Sequence, residues 1–430
     1  MRIGLVCIEK SGHLNPSLTL GRELARHGHA ISIITAPPAR SKVERAGFPL
    51  LPVGEKEHAE GRIDALFARL AKQKGLSALL YTGYALSHLA RIHFRDLPEI
   101  LRRAGFDGLV IDQACPAAAQ IAERLAMPYT VICNALPIHY DPVCPPPPTL
   151  WRYRTDFLGR HRNQIALRLC PPIFDLLTGN RRTGVSPLWL SFADPPRGLA
   201  HVAQQPEFFD FPRVGLPDFF HYTGPWHEQD RDDDMPFPWE RLDDRPLIYA
   251  SLGTIQNGLN HVYSAMIDAA RGLDAQLVIS LGRAGGALTV PPSENAIVVP
   301  FAPQLRLLER AALAITHAGM NTALECLTQG VPMVCLPIAN DQPGVARRVE
   351  WIGAGEVLPI RQVTAKRLRH ALNQVLSDPR YRRNAERCRD RIAATDGAAQ
   401  AARILHRALS HNERILREPA ADPRRLIPAR

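Results

Sequence analysis

The chain has 430 residues, of which 46% are hydrophobic and 22% charged, and its formal net charge is +10. That length is more than one hydrophobic core usually serves and suits two domains, and the composition excludes a disordered or fibrous protein. No uninterrupted apolar stretch is long enough to span a bilayer.

The opening run of "MRIGLVCIEK" stops at Glu9 and Lys10, so it reads as a buried strand rather than the core of a signal peptide. "HLNPSLTLGRELARHG" has helical apolar spacing and Gly28 as its stop, and "AISIITA" is the next strand. Further on, "FDGLVIDQ" reads as a strand, "PAAAQIAERLAM" as a helix and "PYTVICNAL" as a strand. This rhythm predicts an α/β fold with a parallel sheet and helices on both faces. Proline-rich stretches follow at "DPVCPPPPTL" and "SFADPPRG". Between them, residues 151–182 carry seven arginines against Asp156 and Asp175, which suits either a solvated face or an anionic membrane surface. No nucleic-acid motif accompanies them.

Residues 227–244 hold eight acids against Arg231 and Arg241 and separate the two halves. The same rhythm then returns in "PLIYASLGT", "QLVISLG", "AIVVPF", "LAITHAG" and "PMVCLPI", with "NTALECLTQG" as a helix stopped at Gly330. The expected organisation is a first domain over 1–225, a linker over 226–245, a second domain over 246–380, a helical segment over 381–411 and a polar tail over 412–430. The eight cysteines (Cys7, Cys115, Cys133, Cys144, Cys170, Cys326, Cys335 and Cys388) lack metal-ligand spacing and read as reduced, mostly buried thiols of a cytoplasmic protein.

Ligands of open α/β sheets bind beyond the carboxyl ends of the strands. "LAITHAGMNTALECL" is a strand, a tight loop and a helix. Gly319 permits close backbone approach, and Asn321 and Thr322 sit where the helix begins, so free N–H groups face a phosphate. His317 can donate to a phosphate oxygen, and Glu325, one turn into the helix, can accept from ribose hydroxyls. Asp341 and Gln342 follow another strand end and suit vicinal sugar hydroxyls. Phe301 offers a stacking ring and Gln304 an amide; Ser251 and Thr254 of "SLGT" line the diphosphate or a plain turn. Phosphate, ribose, base and sugar together describe a nucleotide sugar. Met320 and Cys326 are assigned to packing. Asp232 to Asp234 lie in the acidic stretch without a preceding strand, so no metal site is expected there.

Transfer of a sugar to an alcohol needs a base. "CIEKSGHLNPSL" puts His13 in the loop after the first strand, and "GLVIDQACP" supplies Asp112 at the end of another strand to orient the imidazole.

Residues 301–342 resemble the signature of the UDP-dependent family 1 glycosyltransferases, which have the two-domain GT-B fold of two Rossmann-like domains facing across a cleft. The resemblance implies that Phe301 stacks on the base, Gln304 contacts base or ribose, and His317, Gly319, Asn321 and Thr322 contact the diphosphate. It further implies that Glu325 contacts the ribose, that Asp341 and Gln342 contact the sugar, and that His13 and Asp112 form the catalytic dyad. "NDQPGVA" and "ICNALP" are similar, more narrowly, to bacterial zeaxanthin glucosyltransferases of carotenoid biosynthesis. This implies an inverting hexose transfer from UDP-glucose to a hydroxylated, lipophilic acceptor, with no cofactor or metal and the UDP-sugar as co-substrate. The acceptor pocket is expected from 60–95 and 134–190, and the segment 381–411 is expected to pack back on the first domain. A macrolide, polyketide or phenolic acceptor, or a catalytically silent binding partner of the same fold, are the other readings. Contact with the inner membrane face follows from a lipophilic acceptor.

Overall fold

The structure is a computed structural model that describes residues 1–70, 73, 75–139, 141–178, 198–227, 235–254, 259–282 and 295–417. Strands β1 (Arg2–Val6), β2 (Ala30–Thr35), β3 (Leu50–Pro52), β4 (Gly108–Asp112), β5 (Tyr129–Cys133), β6 (His201–Ala203) and β7 (Phe220–Tyr222) form one sheet. Its order is β3-β2-β1-β4-β5-β6-β7, with every neighbouring pair parallel. A second parallel sheet holds β8 (Leu247–Ser251), β9 (Gln276–Ser280), β10 (Ala296–Val299), β11 (Ala311–Thr316), β12 (Met333–Cys335) and β13 (Gly355–Val357). Its order is β10-β9-β8-β11-β12-β13.

The central strands are short and apolar because both faces are covered. Every residue of β4 and of β8 is buried. Alternate residues feed opposite cores: Ile3 and Leu5 of β1 pack on one side, Val6 on the other. The same division puts Ile248 and Ala250 of β8 into one core and Leu247 and Tyr249 into the other. The first helix, Ser11–Arg26, ends where Gly28 takes a left-handed φ of 81° and donates to the Ala25 carbonyl.

The chain passes from the first body to the second between Trp226 and Phe237 and returns near the carboxyl terminus. Trp226 is buried in the first body's core, whereas Phe237, Trp239 and Leu242 pack on the second. Asp232 to Asp234 lie outside the described residues. The segment 381–411 does not return as a unit. The helix Pro379–Ala393 stays on the second body, because Ala385, Cys388 and Ile392 are buried there. Only the helix Gly397–His411 lies on the first, burying Ala401, Leu405 and Leu409 beside Ile3 and Leu24.

In each sheet the strand order reverses at one place, between β1 and β4 and between β8 and β11. A crevice opens at such a switch point, because the connections on its two sides leave over opposite faces. The carboxyl ends of the strands at both switch points meet across one cleft, where Asn321 donates to the Gly12 carbonyl at 3.2 Å and Asp341 accepts from the Leu136 N–H at 3.3 Å.

Candidate active site

His13 is not in a loop. It is the third residue of the helix Ser11–Arg26, whose first turn begins directly after the short connection from β1. Its Nδ1 lies 2.6 Å from Oδ2 of Asp112, the last residue of β4. The pair forms because β1 and β4 are hydrogen-bonded neighbours at the switch point. The His13 side chain keeps 20% of its surface exposed toward the cleft while Asp112 keeps none, so the base is reachable and its partner is sealed. Burial pulls the His13 pKa down, but the charge and hydrogen bond of Asp112 outweigh it and hold the pKa above the usual value. The charge of Asp341 acts in the same direction from across the cleft.

Asp112 is itself held by three donors. Oδ1 accepts from the Ala114 N–H at 2.9 Å, and Oδ2 accepts from His13 and from Asn134 Nδ2 at 3.0 Å. Asn134, after β5, is 2% exposed and also reaches Ser17 Oγ at 3.2 Å. Gln204, after β6, continues this chain by donating to the Asn134 carbonyl at 2.6 Å and to Asn321 Oδ1 at 2.8 Å. A polar path therefore runs from the dyad to the loop after β11 on the other body. Asn134 and Gln204 escaped the sequence reading as site residues, although "ICNALP" contains the first of them. Pro16 contributes as well. It has no N–H to offer the Gly12 carbonyl one helical turn back, and that carbonyl accepts instead from Asn321 Nδ2.

On the second body, the loop His317–Gly319 joins β11 to the helix Met320–Thr328. Asn321 and Thr322 lie in its first turn, and no side chain caps it. Ala318 is held at φ 62°, a strained value for a residue with a side chain, and Thr316 Oγ1 accepts its N–H at 3.1 Å. The glycines around this loop make room for the imidazole of His317. A Cβ on Gly319 would stand 2.6 Å from its Nε2, and one on Gly253, at φ 77°, would stand 2.7 Å from the same ring. Gly319 itself has φ −65° and ψ 141°, so its close approach is to its neighbour's side chain and not a matter of its own dihedrals. Burial drives the His317 pKa down to about 4, against a hydrogen bond to the Ser251 backbone, so the ring is neutral at neutral pH. Its Nδ1 is buried without a hydrogen-bond partner among the described residues.

Gln304, Thr322 and Glu325 come together. Gln304 Nε2 donates to Glu325 and lies 3.4 Å from Thr322 Oγ1, while its Oε1 accepts from Tyr249 at 2.9 Å. Glu325 is 1% exposed. Phe301 stands apart with 44% of its surface exposed, a ring face open to a ligand. Ser251 is buried at the end of β8, its Oγ accepting from the Gly253 N–H at 3.3 Å, and Thr254 is exposed beyond it. Asp341 faces the dyad; burial raises its pKa, opposed by the Leu136 N–H and by His13. Gln342 has turned its carbonyl oxygen inward, onto the N–H groups of Ile338 and Ala339 at 2.9 and 3.0 Å, so only its amide nitrogen remains for a ligand. Asn340, at φ 57°, accepts from Thr82 Oγ1 of the first body at 3.0 Å.

The helix Gln342–Trp351 fastens the bodies together. Gly344 donates to the Pro147 carbonyl at 2.8 Å, and Arg348 places Nε and Nη2 on Asp210 Oδ1 at 2.8 and 2.6 Å. Arg213 and Tyr222 take the other oxygen of Asp210 at 2.8 and 2.7 Å. This buried ion pair accounts for the arginine in "ARRV" and the aspartate in "FFDFPR". The seven described cysteines are free and buried, and Met320 and Cys326 are core residues. Among the described residues no group of three or more His, Cys, Asp or Glu side chains could hold a metal ion, and no helix is long and apolar enough to cross a membrane.

Residues 204–392 match the family model of the UDP-glucoronosyl and UDP-glucosyl transferases. The chain is 27% identical to the zeaxanthin glucosyltransferase of Pantoea ananas over 94% of its own length and 95% of the relative's. It is 31% identical to the uncharacterized UDP-glucosyltransferase YojK of Bacillus subtilis over 91% and 93%. The fold matches the crystal structure of the glycotransferase of kitacinnamycin with a TM-score of 0.67, at 24% identity, over 95% of this chain and 99% of that one. Two parallel α/β bodies with switch points facing one cleft are the GT-B architecture, and the chain belongs to the UDP-glucoronosyl and UDP-glucosyl transferase family. It is a family 1 glycosyltransferase, an enzyme that transfers a sugar from a nucleotide-sugar donor.

Proposed function

We propose that this enzyme transfers glucose from UDP-glucose, with inversion, to a hydroxyl of a lipophilic acceptor, a hydroxylated carotenoid such as zeaxanthin. The observation that carries the reading is the His13–Asp112 pair at 2.6 Å, set beside Asp341 across the cleft. His13 takes the acceptor's proton as the oxygen attacks the anomeric carbon from the face opposite the UDP, and Asp112 stabilises the imidazolium that forms. The anomeric carbon–oxygen bond breaks and UDP leaves with its electron pair. The free N–H groups at the start of the helix Met320–Thr328, with Asn321, Thr322 and Ser251 nearby, receive the diphosphate. The neutral ring of His317 gives its one N–H to the Ser251 backbone, and an anionic diphosphate beside it would draw its pKa up, so that the unpartnered Nδ1 gains a proton to donate. Gln304 and Glu325 address the ribose, Phe301 the base, and Asp341 with the amide of Gln342 the sugar hydroxyls.

The full-length likeness to a zeaxanthin glucosyltransferase supports the acceptor class. In the first body, Ile8 after β1, Thr35 at the end of β2, Ile63, and Leu89 and Ile92 of the helix Gly75–Ala104 line a small pocket, the last three from the stretch expected to hold the acceptor. Incubation with UDP-glucose and a panel of hydroxylated carotenoids, macrolides and phenolics, read by mass spectrometry and anomeric coupling constants, tests the reading. A β-glucoside of a carotenoid is the expected product. Transfer only to a macrolide or phenolic would replace the acceptor; turnover of UDP-glucose with no acceptor in the panel would leave the donor half alone. No metal step enters this scheme, and activity is expected to survive excess EDTA.

A further inference from the structure

The helix Phe157–Thr178 presents a side that nothing in the catalytic scheme uses. Phe157, Leu158, Ile165 and Leu169 are 77%, 69%, 46% and 53% exposed. They are four of the eleven large apolar side chains exposed among the described residues, and they fall on one helix. At 3.6 residues per turn they share an arc of about 120°. The helix is anchored by its other side: Asn163 is fully buried and donates to the Pro142 carbonyl at 3.2 Å. The apolar stripe is therefore held outward.

Charge decides what such a stripe fits. Arg160 is exposed at the edge of this arc, and Arg168 and His161 are exposed within it at the end nearer Phe157; neither arginine makes an ion pair with another described residue. From 152 to 168 there are five arginines against the single acid Asp156. Two copies of this face would bring those arginines together, whereas an anionic lipid surface would neutralise them. A short amphipathic helix with apolar side chains on one side and flanking arginines lies in a bilayer interface without crossing it.

We propose that the exposed side of the helix Phe157–Thr178 docks on an anionic bilayer, with Phe157, Leu158, Ile165 and Leu169 entering the interface and Arg160 and Arg168 meeting lipid phosphates. The inference rests on the reading of a lipophilic acceptor, which would be dissolved in that bilayer. It differs from a purely electrostatic attraction, because part of the binding must persist at high salt.

The test uses the full-length protein in co-sedimentation with phosphatidylcholine vesicles, with and without phosphatidylglycerol. The wild type should pellet with the anionic vesicles, and some binding should persist at high salt. Leu158→Ser/Ile165→Ser/Leu169→Ser should bind those vesicles roughly tenfold or more weakly, from the lost apolar burial. Arg160→Gln/Arg168→Gln should lose about 25-fold on anionic vesicles, about fivefold for each cation, and should respond less to salt. UDP affinity by calorimetry and the melting temperature should be unchanged in both, which excludes misfolding. The proposal is overturned if the wild type binds neither vesicle, if the serine variant binds like the wild type, or if that variant instead dissociates a dimer in solution. Vesicle binding without transfer to any vesicle-dissolved alcohol would support this face and refute the lipophilic acceptor.

Discussion

Replacing Asp112 by Asn tests the dyad more sharply than deleting it. Both carboxylate oxygens of Asp112 accept from N–H donors: Oδ1 from Ala114, Oδ2 from His13 and Asn134. An amide has one oxygen. With its oxygen toward His13, its NH2 confronts the Ala114 N–H; flipped, it confronts the Asn134 amide and gives His13 the wrong tautomer. Either way a buried donor is left unpaired, a cost of about 1–3 kcal/mol in stability. The charge-assisted bond to the imidazolium, worth about 1.5–3 kcal/mol, is lost in the transition state, which converts to roughly ten- to hundred-fold in kcat/KM. The pH profile carries the decisive sign. His13 must be neutral to accept a proton, and Asp112 holds its pKa above the usual histidine value, so the wild-type rate should climb through a pKa above 6.5. Asp112→Asn removes the two largest raising influences and leaves the burial that lowers it against the weaker pull of Asp341 and Glu9, so the rising limb should move to lower pH while the plateau falls. The assay is kcat/KM against pH with an acceptor that does not ionise in the range, with thermal melts alongside. An unmoved limb would refute the assignment of His13 as the base.

Three further outcomes follow from the donor side. Glu325→Ala should weaken UDP and UDP-glucose equally, by about 1.5–3 kcal/mol in calorimetry, the range for a hydrogen bond to a charged group; unchanged UDP affinity would remove Glu325 from the ribose site. Asp341→Ala should cripple transfer from UDP-glucose yet leave UDP affinity nearly intact, and a parallel fall in both would take Asp341 out of the sugar site. Gly319→Ala sets a methyl 2.6 Å from the His317 ring, so it should displace that ring, lower stability by about 1–3 kcal/mol and weaken UDP binding; wild-type UDP affinity would show that the ring position does not matter.

The alternation of apolar runs and amphipathic segments already specified two parallel α/β bodies, because strand and helix periods are local properties of the chain. The order of chemical groups in "THAGMNTALECL" likewise specified a phosphate-facing helix start, since the loop and helix are contiguous. What the sequence could not carry is pairing at a distance. His13 and Asp112 are 99 positions apart and meet only because β1 and β4 became neighbours at the place where the sheet reverses direction. Asn134 and Gln204 join them for the same reason, and neither has a local signature beyond a polar residue after a strand.

The tertiary structure also decided what the conspicuous groups do. Gln342 has spent its carbonyl on its own loop, and Gly253 and Gly319 serve the ring of His317. Arg348, one of the arginines of "ARRV", became the buried partner of Asp210 on the other body. The sequence alone determined which chemistry was available: a base, a carboxylate, a phosphate-facing helix start and hydroxyl-reading side chains, each at a strand end. Packing determined their distances, burial and proton affinities, because these depend on which strands lie side by side and on how closely two separately built bodies approach across the cleft.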